Sequence, residues 1–315
     1  MARLLRSPIR LCCLLLLGIA GLAACSEREP PAAVNLEKRT ALPTGSTTPG
    51  DRVLNLCVGS MITPQDGYVY YRQLIDYLAE KLKMPIQVRD PGNYREVNRL
   101  LETGETDVAF VCGGPYIEGR ARFGLALIAA PIVHGSATYY SNLIVPAGSP
   151  AQSLKDLQGK TFAFTDPQSN SGYLVPVADL AALGASPETF FSSHLFTYAH
   201  DRSIRAVAEA LVDGAAVDSL IWDFLAVTQP ALTARAKVIS RRGPFGIPPV
   251  VASPHLDAAT AGRIREVLLT MHQDPRGRQI LQAMLIDRFD LIDDAAYDSI
   301  RRLLPGTPAG KRSRP

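Results

Sequence analysis

Apolar and polar positions along this chain switch between two periods, and the switches mark the elements. Val53 to Val58 is a short apolar run rich in β-branched residues, and it leads into the loop Gly59-Ser60-Met61-Ile62-Thr63-Pro64. Tyr71, Leu74, Ile75, Leu78 and Leu82 then recur at helical spacing up to Lys83. Pro85 to Val88 reads as a second strand, Tyr94 to Glu102 as a second helix and Asp107 to Cys112 as a third strand. This β-α-β-α-β alternation predicts a parallel, doubly wound sheet. Its ligand edge falls where strands end and helices begin, near Ser60, Tyr94 and the Cys112-Gly113-Gly114 turn.

A strand near Ala126 to Ala130 and a longer one from Tyr139 to Val145, leaving the first lobe, precede a restart of the same pattern. Thr161 to Thr165 is a strand, Asp166-Pro167 a turn, and Ser169-Asn170-Ser171-Gly172 opens a helix running to Leu183. The first N–H groups of a helix are unpaired and sit at the positive end of its dipole, so hydroxyls and a glycine there form an anion cradle or a simple N-cap. Further on, Ser193 to Thr197 reads as a strand, Ser203 to Val212 as a helix and Ala215 to Ile221 as a buried strand. The proline-rich Phe245 to Val251 predicts an extended crossing segment, and Ala258 onwards a mostly helical end.

The first residues change the picture of location. Arg3, Arg6 and Arg10 precede an apolar stretch, Leu11 to Leu22, too short to span a bilayer comfortably, and Leu22-Ala23-Ala24-Cys25 follows. This is an export signal over residues 1–24 with a lipobox, in which Cys25 is the expected lipidation site. Residues 25–51, rich in Pro, Glu, Ser, Thr and Gly, read as a lipidated, flexible tether, and residues 306–315 as a disordered tail. Without the three leader arginines, acidic and basic residues balance. A neutral mature chain gives no case for nucleic-acid binding, and any anion selectivity must be local. Only Cys57 and Cys112 remain in the folded part, which leaves no disulfide framework.

No enzyme motif appears. Gly159-Lys160-Thr161 imitates the end of a phosphate-binding loop, but Leu154 stands where that loop needs glycine. The five histidines show no metal-ligand spacing, and neither a cofactor nor a metal is expected.

Four stretches in order resemble one family, the phosphonate-type solute-binding proteins of ABC importers for phosphonate, phosphite and phosphate. They are DVAFVCGGPY from Asp107, SLKDLQGKTFAFTDPQSNSGYLVP from Ser153, FTYAHDRSIRAVAEALVDGAAVDS from Phe196 and PFGIPPVV from Pro244. The resemblance implies an α/β, two-lobed clamp of the type II periplasmic-binding-protein class. Each lobe would be a doubly wound mixed sheet flanked by helices, with two hinge crossings: lobe 1 over 52–142 and 246–305, lobe 2 over 143–245. It also implies ligand contacts at Ser169, Asn170 and Ser171, at Tyr94 and Tyr139, and at His200. The family's usual middle residue in the first of these groups is threonine, so Asn170 replaces a hydroxyl with an amide.

Charge logic adds Asp218 with Ser219: a carboxylate in an oxyanion cleft accepts, and so selects ligands that keep a proton. Asp218 can equally cap the following helix. The second crossing, Gly246-Ile247-Pro248-Pro249, holds no carboxylate for a ligand ammonium, which points towards small phosphorus oxyanions. The expectation is a lipid-anchored monomer, not an enzyme, on the periplasmic side of the envelope. It would capture phosphate, phosphite or a simple phosphonate for an ABC permease. The alternative is an oxyanion sensor for a histidine kinase ectodomain, responding to arsenite through Cys112, since trivalent arsenic is a soft thiophile.

Overall fold

The computed structural model describes residues 52–59 and 64–304. The expected leader, Cys25, the tether, Ser60 and the tail all lie outside the described residues.

The first sheet grows as the alternation predicts. Strand β1 (Leu54–Val58) leads to helix α1 (Pro64–Leu82), β2 (Ile86–Arg89), α2 (Tyr94–Thr103) and β3 (Val108–Phe110), and β1 pairs in parallel with both β2 and β3. Asn93 caps α2 by accepting from Glu96 N–H, and Gly104 ends it in the left-handed region. Helix α3 (Gly113–Phe123) follows, where the sequence suggested only a turn; Cys112 is its N-cap residue. Two glycines and a proline in its first turn hide this helix from propensity, and packing against α2 and the chain's last helical turn overrides them. Strand β4 (Ala126–Ile132) completes this pass.

The chain then enters a second sheet with β5 (Thr138–Pro146). Strand β6 (Thr161–Phe164), helix α4 (Val175–Ala182), β7 (Ser193–Phe196), α5 (His200–Ala208), β8 (Gly214–Asp218), α6 (Ser219–Thr228) and β9 (Ala236–Gly246) build an order β7-β6-β8-β5-β9. The run read as a strand to Ile221 is therefore a strand only to Asp218, whose carboxylate accepts from Leu220 N–H and starts a helix at Ser219. Apolar Leu220 and Ile221 are half-buried and lie on α6, Leu220 against one core cluster and Ile221 against two others.

Strand β10 (Val250–Ala252) returns to the first sheet and inserts between β3 and β4, antiparallel to both. With β11 (Arg288–Asp290) on the edge, the order is β11-β4-β10-β3-β1-β2. Only residues 247–249 separate β9 from β10, and because β10 runs antiparallel to both of its neighbours the sheet is mixed. Helices Ala258–Thr270 and Pro275–Ala283 cover this sheet against α1. The chain thus passes between sheets at 133–137 and at 247–249, the first earlier than the 142/143 boundary read from sequence. The Tyr297 hydroxyl, donating to Ile247 O (2.9 Å), ties down the second passage.

Between β6 and α4 the chain makes a π turn, Asn170–Leu174, where an ordinary α-helix start was expected. Pro176 has no N–H to give Gly172 O, and that carbonyl accepts from Thr165 N–H (3.2 Å) instead. Leu174 N–H and Val175 N–H bond back five residues, to Ser169 O and Asn170 O, and the turn widens. The turn closes onto β6 because residue 172 is glycine: a Cβ there would lie 2.4 Å from Thr165 Oγ1 and 2.5 Å from its Cβ. Gly172→Ala is expected to lower stability by about 1–3 kcal/mol through overpacking, read as a lower urea midpoint at unchanged slope. An unchanged midpoint would show that the turn has room to spare.

Candidate functional site

The carboxyl ends of β6 and β8, the start of α5 and the π turn meet at one edge of the five-stranded sheet. His200, first residue of α5, lies fully buried there. Its Nδ1 accepts from Asp218 N–H at 3.1 Å and lies 3.0 Å from Thr165 Oγ1. A backbone N–H can only donate, so Nδ1 is the acceptor and the ring proton resides on Nε2. Burial pushes the imidazole pKa down to about 3, so the ring is neutral across the physiological range. Its Nε2–H is buried and has no partner within the protein.

The π turn adds groups of the same kind. Ser169 Oγ is spent on the cap, accepting from Gly172 N–H (3.0 Å). Ser171 Oγ is buried without a partner, while Ser171 O accepts from Ser141 Oγ of β5 (2.7 Å). Asn170 Nδ2 donates to Tyr139 Oη (2.9 Å), which leaves Asn170 Oδ1 unpartnered. Turning this amide over would let Tyr139 donate to Oδ1 and free two N–H donors, so Asn170 can present either polarity.

The opposite wall comes from the six-stranded sheet. Tyr94 opens α2; its N–H donates to Asp166 Oδ2 (3.2 Å) across from the other half, and its hydroxyl is buried and unpartnered. Cys112 Sγ lies 3.8 Å from Tyr139 Oη. Burial raises this thiol above its ordinary pKa, so it stays protonated. Cys57, bonded to Thr106 Oγ1 at 3.1 Å, is also free and buried, so the two cysteines do not pair. The halves meet closely at Gly114, where a Cβ would lie 2.1 Å from Gln168 O.

Asp218 is buried, and desolvation pushes its carboxyl up to about 7 despite N–H groups of Leu220 and Ile221 that favour the charge. Its field in turn contributes to raising Tyr71, Tyr94, Tyr139 and Cys112, which places these groups round it. Ser219 Oγ accepts from Tyr140 N–H (3.0 Å), tying α6 to the first interlobe strand.

The structure thus brings Tyr94, Cys112, Tyr139, Ser169, Asn170, Ser171, His200, Asp218 and Ser219 to one buried edge. Ser169 and Ser219 have structural partners there. Three residues of this edge went unnoticed in the sequence: Thr165, which braces His200; Ser141, which holds the turn; and Asp166, which joins the halves. The Asp-Pro turn after β6 was the one local signal for any of them. No lysine or arginine is buried among the described residues. This edge is therefore a set of neutral donors around a carboxyl raised to about 7. Such a set can hold an oxyanion by directed hydrogen bonds, which a low local dielectric strengthens.

Known proteins share this arrangement of sheets. A family model described as the periplasmic substrate-binding protein of phosphonate ABC transporters matches residues 57–297. The phosphonates-binding periplasmic protein of Escherichia coli K12 is 24% identical over 258 residues, covering 80% of this chain and 76% of that protein. A binding protein component of an ABC phosphonate transporter from Pseudomonas aeruginosa superposes with a TM-score of 0.76 at 23% identity, over 80% of this chain and 85% of that one. PhnD1 from Prochlorococcus marinus, solved with methylphosphonate, gives a TM-score of 0.73 at 18% identity, over 80% and 96%. The type II clamp fold and the family match together lead to one conclusion: this chain belongs to the periplasmic substrate-binding proteins of phosphonate ABC transporters, which are binding proteins and not enzymes.

Proposed function

We propose that the protein captures a small phosphorus oxyanion, namely phosphate, phosphite or a simple phosphonate, between two lobes and presents it to an ABC permease. One observation carries this reading: Tyr94 Oη, Asn170 Oδ1, Ser171 Oγ and His200 Nε2 are buried and lack partners inside the protein. Buried polar groups are normally paired, and several orphans converging at a strand edge call for an external ligand. The lobes correspond to the two sheets, hinged at 133–137 and 247–249. Tyr94 and Cys112 lie on one lobe, and His200, Asp218 and the π turn on the other. A thiophilic ligand finds less support, since burial keeps the Cys112 thiol protonated. Lipidation at Cys25 would hold the protein at a membrane on the periplasmic side.

Calorimetry of the mature protein against phosphate, phosphite and methylphosphonate tests the central reading, with fluorescence of the single tryptophan, Trp222, as a second readout. At least one should bind, and Ser171→Ala should weaken it by about 10-fold or more, as expected for a hydrogen bond to a charged group. Failure of all three oxyanions to bind would overturn it.

Asp218 sets the pH dependence. Tyr71 is raised to about 12, Tyr94 and Tyr139 lie well above 10, Cys112 is raised and His200 is near 3, so these neighbours stay in one form near neutrality, while Asp223, itself raised by burial, adds to the rise of Asp218. Below about pH 7 the carboxyl is neutral and shares a proton with the ligand; above it, a second negative charge faces the oxyanion. Affinity should therefore fall as pH rises through about 7, and Asp218→Asn should flatten that fall. The raised pKa also means that ionisation opposes folding, so the ligand-free protein should lose stability as pH rises from about 4 to about 7 and level off above that. Equal pH profiles for wild type and variant would remove Asp218 from this role.

The anchor is checked by fractionation. Cys25→Ala should move the protein from the membrane pellet to the soluble envelope fraction, and persistence in the pellet would exclude a lipid on Cys25.

A further inference from the structure

Asp166, Pro167 and Gln168 stand just ahead of Ser169 in the chain and reach the other lobe at three points. Asp166 Oδ2 accepts the Tyr94 N–H at the start of α2 (3.2 Å). That N–H belongs to the first turn of a helix, where no carbonyl within the helix can pair with it, so lobe 2 supplies what lobe 1 lacks. Gln168 Nε2 donates to Glu118 Oε2 on α3. Gln168 O rests on Gly114: a Cβ there would lie 2.1 Å from that oxygen, and the next atoms it would meet, Gln168 C and Leu174 Cδ1, also belong to lobe 2. Asn98 Nδ2, donating to Pro115 O (3.0 Å), ties α2 to α3, so the receiving surface moves as one piece. The reaching segment is stiff as well. Pro167 fixes its own φ, Asp166 Oδ1 accepts from Gln168 N–H (2.8 Å), and Asp166 O accepts from Ser169 N–H (2.8 Å).

We propose that Asp166-Pro167-Gln168 is the latch of the clamp: it engages α2 and α3 when the lobes close over a ligand, and so sets how slowly that ligand leaves. This rests on the two-lobed capture reading above and concerns the kinetics of that capture. None of the three residues supplies one of the unpartnered groups that carry the oxyanion reading. Position in the chain supports the latch. Ser169, Asn170 and Ser171 follow without a break, so drawing them towards Tyr94 brings the latch onto α2 and α3 in the same movement. The contacts are also of a kind that a hinge can make and release: two hydrogen bonds whose groups water can serve when the lobes part, and a carbonyl seated on a bare glycine. Glycine is a poor helix former, and in the first turn of α3 it gives Gln168 its seat.

The experiment measures stopped-flow rates and calorimetric affinities on the mature protein with phosphate, phosphite and methylphosphonate, and urea unfolding without ligand. Gln168→Ala should speed dissociation by about fivefold with association unchanged, the size expected for one hydrogen bond. Glu118→Ala should do the same, and the double variant should add little, because both remove one contact. Gly114→Ala is the stronger test. Its methyl group obstructs only the closed arrangement, so affinity should fall about tenfold or more. The ligand-free variant should unfold at an unchanged or higher urea concentration, since alanine favours the helix. Dissociation rates equal to wild type in the Gln168 and Glu118 variants would refute the latch while oxyanion capture stands. A lower urea midpoint for ligand-free Gly114→Ala would also refute it, by showing that the lobes pack this way permanently. If the wild type binds none of the three oxyanions, oxyanion capture fails and the latch with it.

Discussion

The hydrogen bond from Asp218 N–H to His200 Nδ1 sets the polarity of the whole buried edge. It fixes the tautomer, and burial without a compensating charge keeps the ring neutral. The ring therefore offers an N–H donor in a place where water does not reach. Around it, Thr165 braces the ring and the π turn fixes the backbone that carries Asn170 and Ser171. An oxyanion site made of neutral donors avoids the desolvation that a buried lysine or arginine would demand. It also leaves selectivity to geometry and to one titrating carboxyl.

The same edge explains why the two sheets must be joined so tightly. Asp166 reaches across to the first N–H of the helix at Tyr94, Gln168 bonds Glu118, and Gln168 O rests against Gly114. Each contact links the turn after β6 to helices of the other sheet. The ligand position proposed between His200 and Tyr94 thus lies between surfaces that already fit each other. The crossing at 247–249, anchored by Tyr297, brings β10 back into the first sheet and couples the two halves through covalent chain as well as contact.

Much of this was legible beforehand. The β-α alternation, the Asp-Pro turn and the capping serine are local signals, and each survives in the structure with shifted ends. The glycine-opened helix after Cys112 and the π turn were missed for opposite reasons. In the first, tertiary packing overrides poor helix formers. In the second, Pro176 leaves Gly172 O for a partner that local sequence does not show, Thr165 on the preceding strand.

By itself the chain determined which segments become strands and helices, the family to which it belongs and the kinds of side chain at its strand ends. These follow from periodicity and capping, which act within a turn or two of chain. Only the tertiary structure decided which donors lack partners, which nitrogen of His200 carries the proton, and that an apolar cavity opens beside Asp218. Those properties depend on contacts between residues far apart in sequence, such as Cys112 with Tyr139 and Tyr71 with Phe110. Such contacts are set by how the two sheets come together.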